Sequence, residues 1–178
     1  MMKSIPNATV LFATGLLAGT FFYAKFNVLP TFREVPREIH LSFRVALMRH
    51  NGVIVQSLMA IAIISSIWFT WTVKRQRSAC IFAGVAILLT IATFLITRLG
   101  NVPINTQIKS WILTMPPANW NAILERWDFF HTCRTITAIG SFAAVLMATF
   151  PKSDSRPSRH RKPTPVPSRS LSGIAHRR

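Results

Sequence analysis

Apolar residues run almost without interruption through four stretches of this chain: ATVLFATGLLAGTFFYA at 8–24, GVIVQSLMAIAIISSIWFTWTV at 52–73, SACIFAGVAILLTIATFLIT at 78–97 and TITAIGSFAAVLMATF at 135–150. An α-helix rises about 1.5 Å per residue, so about 20 residues cross a hydrocarbon core of about 30 Å. The fourth stretch is short and follows Arg134 directly, so it spans only if its helix begins near His131. One such run could be a buried helix of a soluble protein; four point to a membrane. The expected fold is an all-α, integral membrane bundle of four transmembrane helices at about 7–27, 52–73, 78–99 and 131–150. A cleaved leader does not fit the first run, because bulky Phe22 stands at the first small position of its only cleavage-like triplet. Gly15 and Gly19 in GLLAG form a small-xxx-small pattern that admits a close neighbour.

The connections are readable from their breakers. Pro30 and Pro36 interrupt the first half of 25–51, and nothing interrupts Arg37 to Asn51, where an interfacial helix is expected to run into the second span. Arg37, His40 and Arg44 share one stripe of that helix, and headgroups are the default partner of its arginines. The short KRQR turn makes spans two and three antiparallel neighbours. Gly100, Asn101 and Pro103 in RLGNVPIN predict a helix stop. Pro116 and Pro117 split the next segment, and Asn119 is a candidate cap. Its aromatics, Trp111, Trp120, Trp127, Phe129 and Phe130, suit a membrane–water interface.

Charge adds orientation. The formal net charge is +16, which alone would suggest nucleic acid. Its location argues otherwise. Eight of the basic residues lie in the proline-rich segment 152–178, which lacks apolar periodicity and is expected to be a disordered tail beside anionic lipid headgroups. With Lys3, Lys74, Arg75 and Arg77 the tail's side carries the excess of Lys and Arg, so both termini are expected in the cytoplasm of a multi-pass cell-membrane protein, with 1–151 as the membrane domain. No nucleic-acid partner is expected, the lipid bilayer is, and homo-oligomerisation is left open. Cys80 and Cys133 start opposite ends of their spans, beyond disulfide reach, and are expected to be packing residues.

The candidate chemistry sits in RWDFFHTCRT, 126–135. Trp127, His131, Arg134, Ala138 and Ser141 form one helical stripe, and ionisable residues within a span usually face the bundle interior. Asn101 and Asn105 arrive at the same level from span three, and His50, Asn51 and Gln56 arrive from span two. Polar groups converging on an apolar bundle describe a binding pocket. His40, His50, His131, Glu125 and Asp128 offer metal ligands, but no HxH, HxxxH or HExxH spacing occurs, and nothing demands a haem. No metal and no cofactor are expected.

NVPIN at 101–105, followed by Trp127, His131 and Arg134, resembles the signature of the DUF1772, or anthrone oxygenase-like, membrane family; GLLAGTFFYA and RVALMRHN fit the same pattern. The resemblance covers roughly 8–150. It implies oxidation of an anthrone or hydroquinone-like aromatic with molecular oxygen as co-substrate and without flavin or metal. On that basis His131 is expected to act as general base, Arg134 to stabilise the anionic oxygen, and Asp128 to fix the His131 tautomer. Asn101 and Asn105 would donate hydrogen bonds, Trp127 would stack on the substrate ring, and a hydrophobic aromatic small molecule would enter from the membrane. The alternative is a non-catalytic scaffold or accessory subunit, in which His131 and Arg134 hold helices together through Asn101 and Asn105. A transporter fits less well, because no repeat or broken mid-membrane helix is evident.

Overall fold

The computed structural model describes residues 4–111 and 113–150. All regular structure among them is helical: α1 Ser4–Tyr23, α2 Leu29–Arg33, α3 Arg37–Val73, α4 Arg77–Ile96, α5 Val102–Ser110 and α6 Trp120–Thr149, with π turns at Ala24–Val28 and Thr97–Asn101. Four continuous helical runs, Ile5–Arg33, Arg37–Val73, Arg77–Ser110 and Trp120–Thr149, are long and apolar enough to cross a membrane. The expected tail lies outside the described residues.

Two expected helix stops are not stops. The helix runs through Pro30 and through Pro103, and each proline follows a π turn by two residues. An interior proline lacks an N–H and crowds the carbonyl four residues back. Here Leu29 N–H donates to Ala24 O and Val102 N–H to Thr97 O, each five residues back. The wider turn moves the crowded carbonyl aside, so both helices continue. Asn119 does stand at the α6 N-cap, but its side chain makes no capping hydrogen bond.

The four spans form a ring in which α1 packs on α6 and α3, and α4 packs on α6 and α3. The outside is apolar: Phe12, Ile64, Leu88 and Ile136 are all exposed. The inside holds hydroxyls, including Thr14, Ser66, Thr90, Thr93 and Ser141. A soluble domain would reverse this distribution; a bundle in lipid produces it. Most of these hydroxyls satisfy themselves on the carbonyl four residues back, as Thr14 does on Val10 O and Ser66 on Ala62 O. Two pairs reach across from α4 to α6: Thr90 Oγ1 and Ser141 Oγ at 2.7 Å, and Thr93 Oγ1 and Thr137 Oγ1 at 2.7 Å.

Side-chain size changes along the bundle axis. At the end near the 74–76 turn the core is Ala79, Ala83, Ala86, Ala144 and Ala148 around Val10, Phe69, Val73 and Val145. At the opposite end, here the mouth, it is Leu29, Phe32, Val45, Ile104, Ile108, Trp111, Leu124 and Trp127. Small residues admit close helix approach; large ones hold helices apart. Gly15 follows this logic, since a Cβ there would meet the Phe142 ring at 3.1 Å, while Gly19 faces open space, so only half of the GLLAG pattern supports a close approach. The segment 37–51 is the first part of the unbroken α3, and it buries His40, Arg44 and Val45. At about 1.5 Å per residue, the 37 residues of α3 reach well beyond a hydrocarbon core of about 30 Å, so its first turns build the mouth.

Candidate functional site

The stripe read from RWDFFHTCRT is buried throughout: Trp127, His131, Arg134, Ala138 and Ser141 all lie inside. Heptad-like spacing keeps these positions on the α6 face that meets α1 and α4. Trp127 and His131, one turn apart, stack with ring centroids 5.1 Å apart and planes 12° apart. Phe21 of α1 meets the imidazole edge-on at 5.9 Å.

Arg134 Nε and Nη2 lie 2.9 and 2.8 Å from His131 Nδ1. A guanidinium can only donate, so Nδ1 is an acceptor and the neutral imidazole carries its hydrogen on Nε2. That Nε2 is buried and has no partner among the described residues. A base role at Nε2 would need the opposite tautomer, with a proton on Nδ1 facing two Arg134 donors. The geometry therefore presents His131 as a hydrogen-bond donor. Arg134 itself lies over the Phe21 ring at 4.5 Å and the Trp127 ring at 5.3 Å. It is 8% exposed, and among the described residues no carboxylate pairs with it. A buried cation without a counter-ion favours an anion beside it.

Both residues line a cavity of about 140 Å³ inside the bundle, with Trp127, Asn105, Asn51, Gln56, Phe21, Met59 and Arg44 among its other walls. Three expected members fall elsewhere. His50 is exposed and points away, because Leu47, Met48, Asn51 and Val55 occupy the α3 face toward the cavity. Asn101 is fully buried behind the wall, where its Nδ2 donates to Trp127 O at 3.0 Å. Asp128 does not orient His131: its two oxygens accept from Arg33 Nη2 at 2.9 Å and Arg44 Nη2 at 3.3 Å. One residue on from Trp127, it faces the mouth and leaves the tautomer to Arg134.

Helix-to-helix ties do run through this region, but through Trp127. Its indole Nε1 donates to Asn105 Oδ1 at 2.6 Å while its carbonyl receives Asn101. The π turn at Thr97–Asn101 brings both asparagines to α6, and Gly100 makes the approach feasible: a Cβ there would stand 2.5 Å from Phe130 Cγ. The His131–Arg134 hydrogen bonds lie within one helix, and the pair meets its neighbour α1 through the Phe21 ring rather than through Asn101 or Asn105.

Sequence reasoning missed Arg44. Headgroups are the default partner of an arginine at this position, yet Arg44 is 3% exposed and lies 4.3 Å from the centre of the Trp127 ring. The signal was the Arg37, His40, Arg44 stripe. Cys80 and Cys133 are free and half-buried. Among the described residues no three of His, Cys, Asp and Glu come together as a metal-ligand cluster.

A membrane-spanning helical bundle with an apolar pocket holding an imidazole and an unpaired guanidinium is the class that fold and site define. The anthrone oxygenase family model matches residues 43–144, more than half of the chain, and the protein belongs to that family. The match takes in every pocket residue of α3 to α6. No curated protein and no solved structure matches the chain.

Proposed function

We propose that the protein oxidises an anthrone-like or hydroquinone-like aromatic with molecular oxygen, and that the pocket around His131 and Arg134 holds the substrate's deprotonated oxygen. One observation carries this reading: a buried guanidinium with no carboxylate partner, bonded to a buried imidazole whose Nε2 has no partner, in a mostly apolar cavity. Donors fixed in place before the reaction, in a water-poor site, stabilise a developing oxyanion far better than water does.

An anthrone has a CH2 group conjugated through its rings to a carbonyl. Loss of one proton gives an enolate whose oxygen would accept from His131 Nε2–H, with Arg134 on the opposite ring nitrogen polarising that N–H and supplying positive charge, and the proton leaves to water at the mouth. The electron-rich carbon then takes up oxygen. In balance, the CH2 becomes a carbonyl: one oxygen atom enters the product, and the other leaves as water with the two hydrogens. At about 140 Å³ the cavity takes the oxygen-bearing end of the ring system beside Trp127 and Phe21, and the remainder would extend past Leu29 and Phe32 toward the mouth. No organic cofactor is needed in this scheme, because the substrate anion is itself the reductant of oxygen.

The experiment uses the purified protein in lipid nanodiscs with an anthrone and air. Quinone absorbance and oxygen uptake should rise above the spontaneous rate, and Arg134→Met should remove the increment. No increment across a panel of anthrones and hydroquinones removes the proposal.

A further inference from the structure

A second cavity lies at the mouth, and at about 520 Å³ it is the larger. It falls within the size range of small-molecule sites. The α2–α3 junction and the first turns of α6 form its walls. Phe32 and Trp120 are its aromatic surfaces, and Arg33, Arg37, His40 and Arg44 bring basic side chains to it. It shares Leu29, Phe32 and Arg44 with the inner pocket but contains neither His131 nor Arg134.

Two buried side-chain nitrogens here lack partners, Arg44 Nη1, which can only donate, and His40 Nε2, which donates in the tautomer that carries its hydrogen there. His40 is 8% exposed, lines this cavity and not the inner pocket, and its Nε2 has no partner. Its ring is fixed by stacking on Phe32, centroids 5.0 Å apart and planes 15° apart, and by the edge of Trp120 at 6.3 Å. Arg44 is 3% exposed and spends Nη2 on Asp128, while Nη1 has no partner. Buried polar groups left unpaired are rare and call for a reason. The acids of the wall do not supply one. Both oxygens of Asp128 are engaged by Arg33 and Arg44, and Glu125 is exposed.

We infer that the mouth cavity is a binding site for a carboxylate-bearing planar aromatic, whose acid group receives His40 Nε2–H and Arg44 Nη1–H and whose ring lies among Phe32 and Trp120. A carboxylate suits two donors and a local excess of cations. A ring suits the half-buried Trp120 and the remaining edge of Phe32, apolar surface that a compact inorganic anion would leave uncovered. Arg44 belongs to both cavities, so a ligand here sits against the wall of the inner pocket. The inference stands independently of any reaction at His131.

The test is calorimetric titration of the full-length protein in zwitterionic nanodiscs with 2-naphthoate, 2-naphthamide, glycerol 3-phosphate and inorganic phosphate, with empty discs as the partition control. The acid should bind about tenfold or more tightly than the neutral amide, as charge-assisted hydrogen bonds to buried donors allow. His40→Phe keeps the stack and removes the donor, and Trp120→Leu removes an aromatic wall. Each should weaken naphthoate several-fold while thermal unfolding confirms a folded protein. Equal binding of acid and amide overturns the proposal, as does absence of naphthoate binding. Phosphates that bind as tightly as naphthoate would make the cavity a headgroup or phosphate site and overturn the aromatic-acid assignment. Binding lost in Arg134→Met but kept in His40→Phe would place the ligand in the inner pocket and equally overturn it.

Discussion

Arg134 donates twice to one atom one turn back on its own helix, the Nδ1 of His131, at 2.9 and 2.8 Å. The pair is a prearranged donor unit, with the imidazole N–H on the far side of the ring from the guanidinium. Its role as donor or as base is separable by substitution.

His131→Gln keeps an N–H donor and removes any basic nitrogen; His131→Phe removes both. If the imidazole acts as a donor, Gln should retain activity within about tenfold of wild type. Phe should lose about 10²–10³ in kcat, the usual cost of an oxyanion donor. Steady-state oxidation of an anthrone in nanodiscs measures both, and equal loss in the two variants restores the base assignment.

Asp128 serves two arginines of very different exposure, Arg33 with its side chain 69% exposed and Arg44 with 4%. Arg33→Gln should cost less than about 1 kcal/mol, as exposed ion pairs do. Asp128→Asn leaves the Arg44 charge buried without its carboxylate and should cost about 3–5 kcal/mol. Chemical unfolding in mild detergent ranks the two, and similar losses would show the Arg44 pair to be solvent-screened.

Gly100→Ala places a methyl 2.5 Å from the Phe130 ring, a rigid obstacle. Overpacking of this kind costs about 1–3 kcal/mol. Adding Phe130→Leu should recover part of the loss, and a thermal melt of single and double variants reads the coupling.

Trp127→Phe preserves most of the stack on His131 but strips the donor from Asn105 Oδ1. Leaving a half-buried acceptor unpaired should cost about 1–3 kcal/mol, and Trp127→Phe with Asn105→Leu should cost less than the sum of the single changes. Additive losses would mean that the 2.6 Å bond contributes nothing beyond its parts.

The four spans were legible because lipid imposes a pattern no other solvent does: every helix carries apolar residues on its outward face, so hydropathy alone marks it. The stripe from Trp127 to Ser141 was legible by helical spacing for the same reason. Pro30 and Pro103 misled because breaker logic assumes an α-helical turn before the proline, and a π turn has no strong residue signature. Arg44 and Asp128 misled because their pairing joins α3 to α6, residues 84 apart, and spacing within one helix carries no information about such a partner. The tautomer of His131 depended on which neighbour reached Nδ1. Asp128 and Arg134 stand three residues away on either side, and only the tertiary demand of Arg33 and Arg44 draws the carboxylate off.

Each π turn holds one residue more than an α-helical turn. Losing one residue from Ala24–Val28 would restore an ordinary α-helical turn and leave Leu29 and Phe32 close to their present facing, because the wider winding already absorbs the extra residue. What would go is the room for the proline: Pro30 would again crowd the carbonyl four residues back, and the same loss from Thr97–Asn101 would do so at Pro103. A one-codon deletion at either place would therefore spare the direction in which the mouth residues point and kink the helix that carries them. Each proline and the π turn before it are tolerable only together.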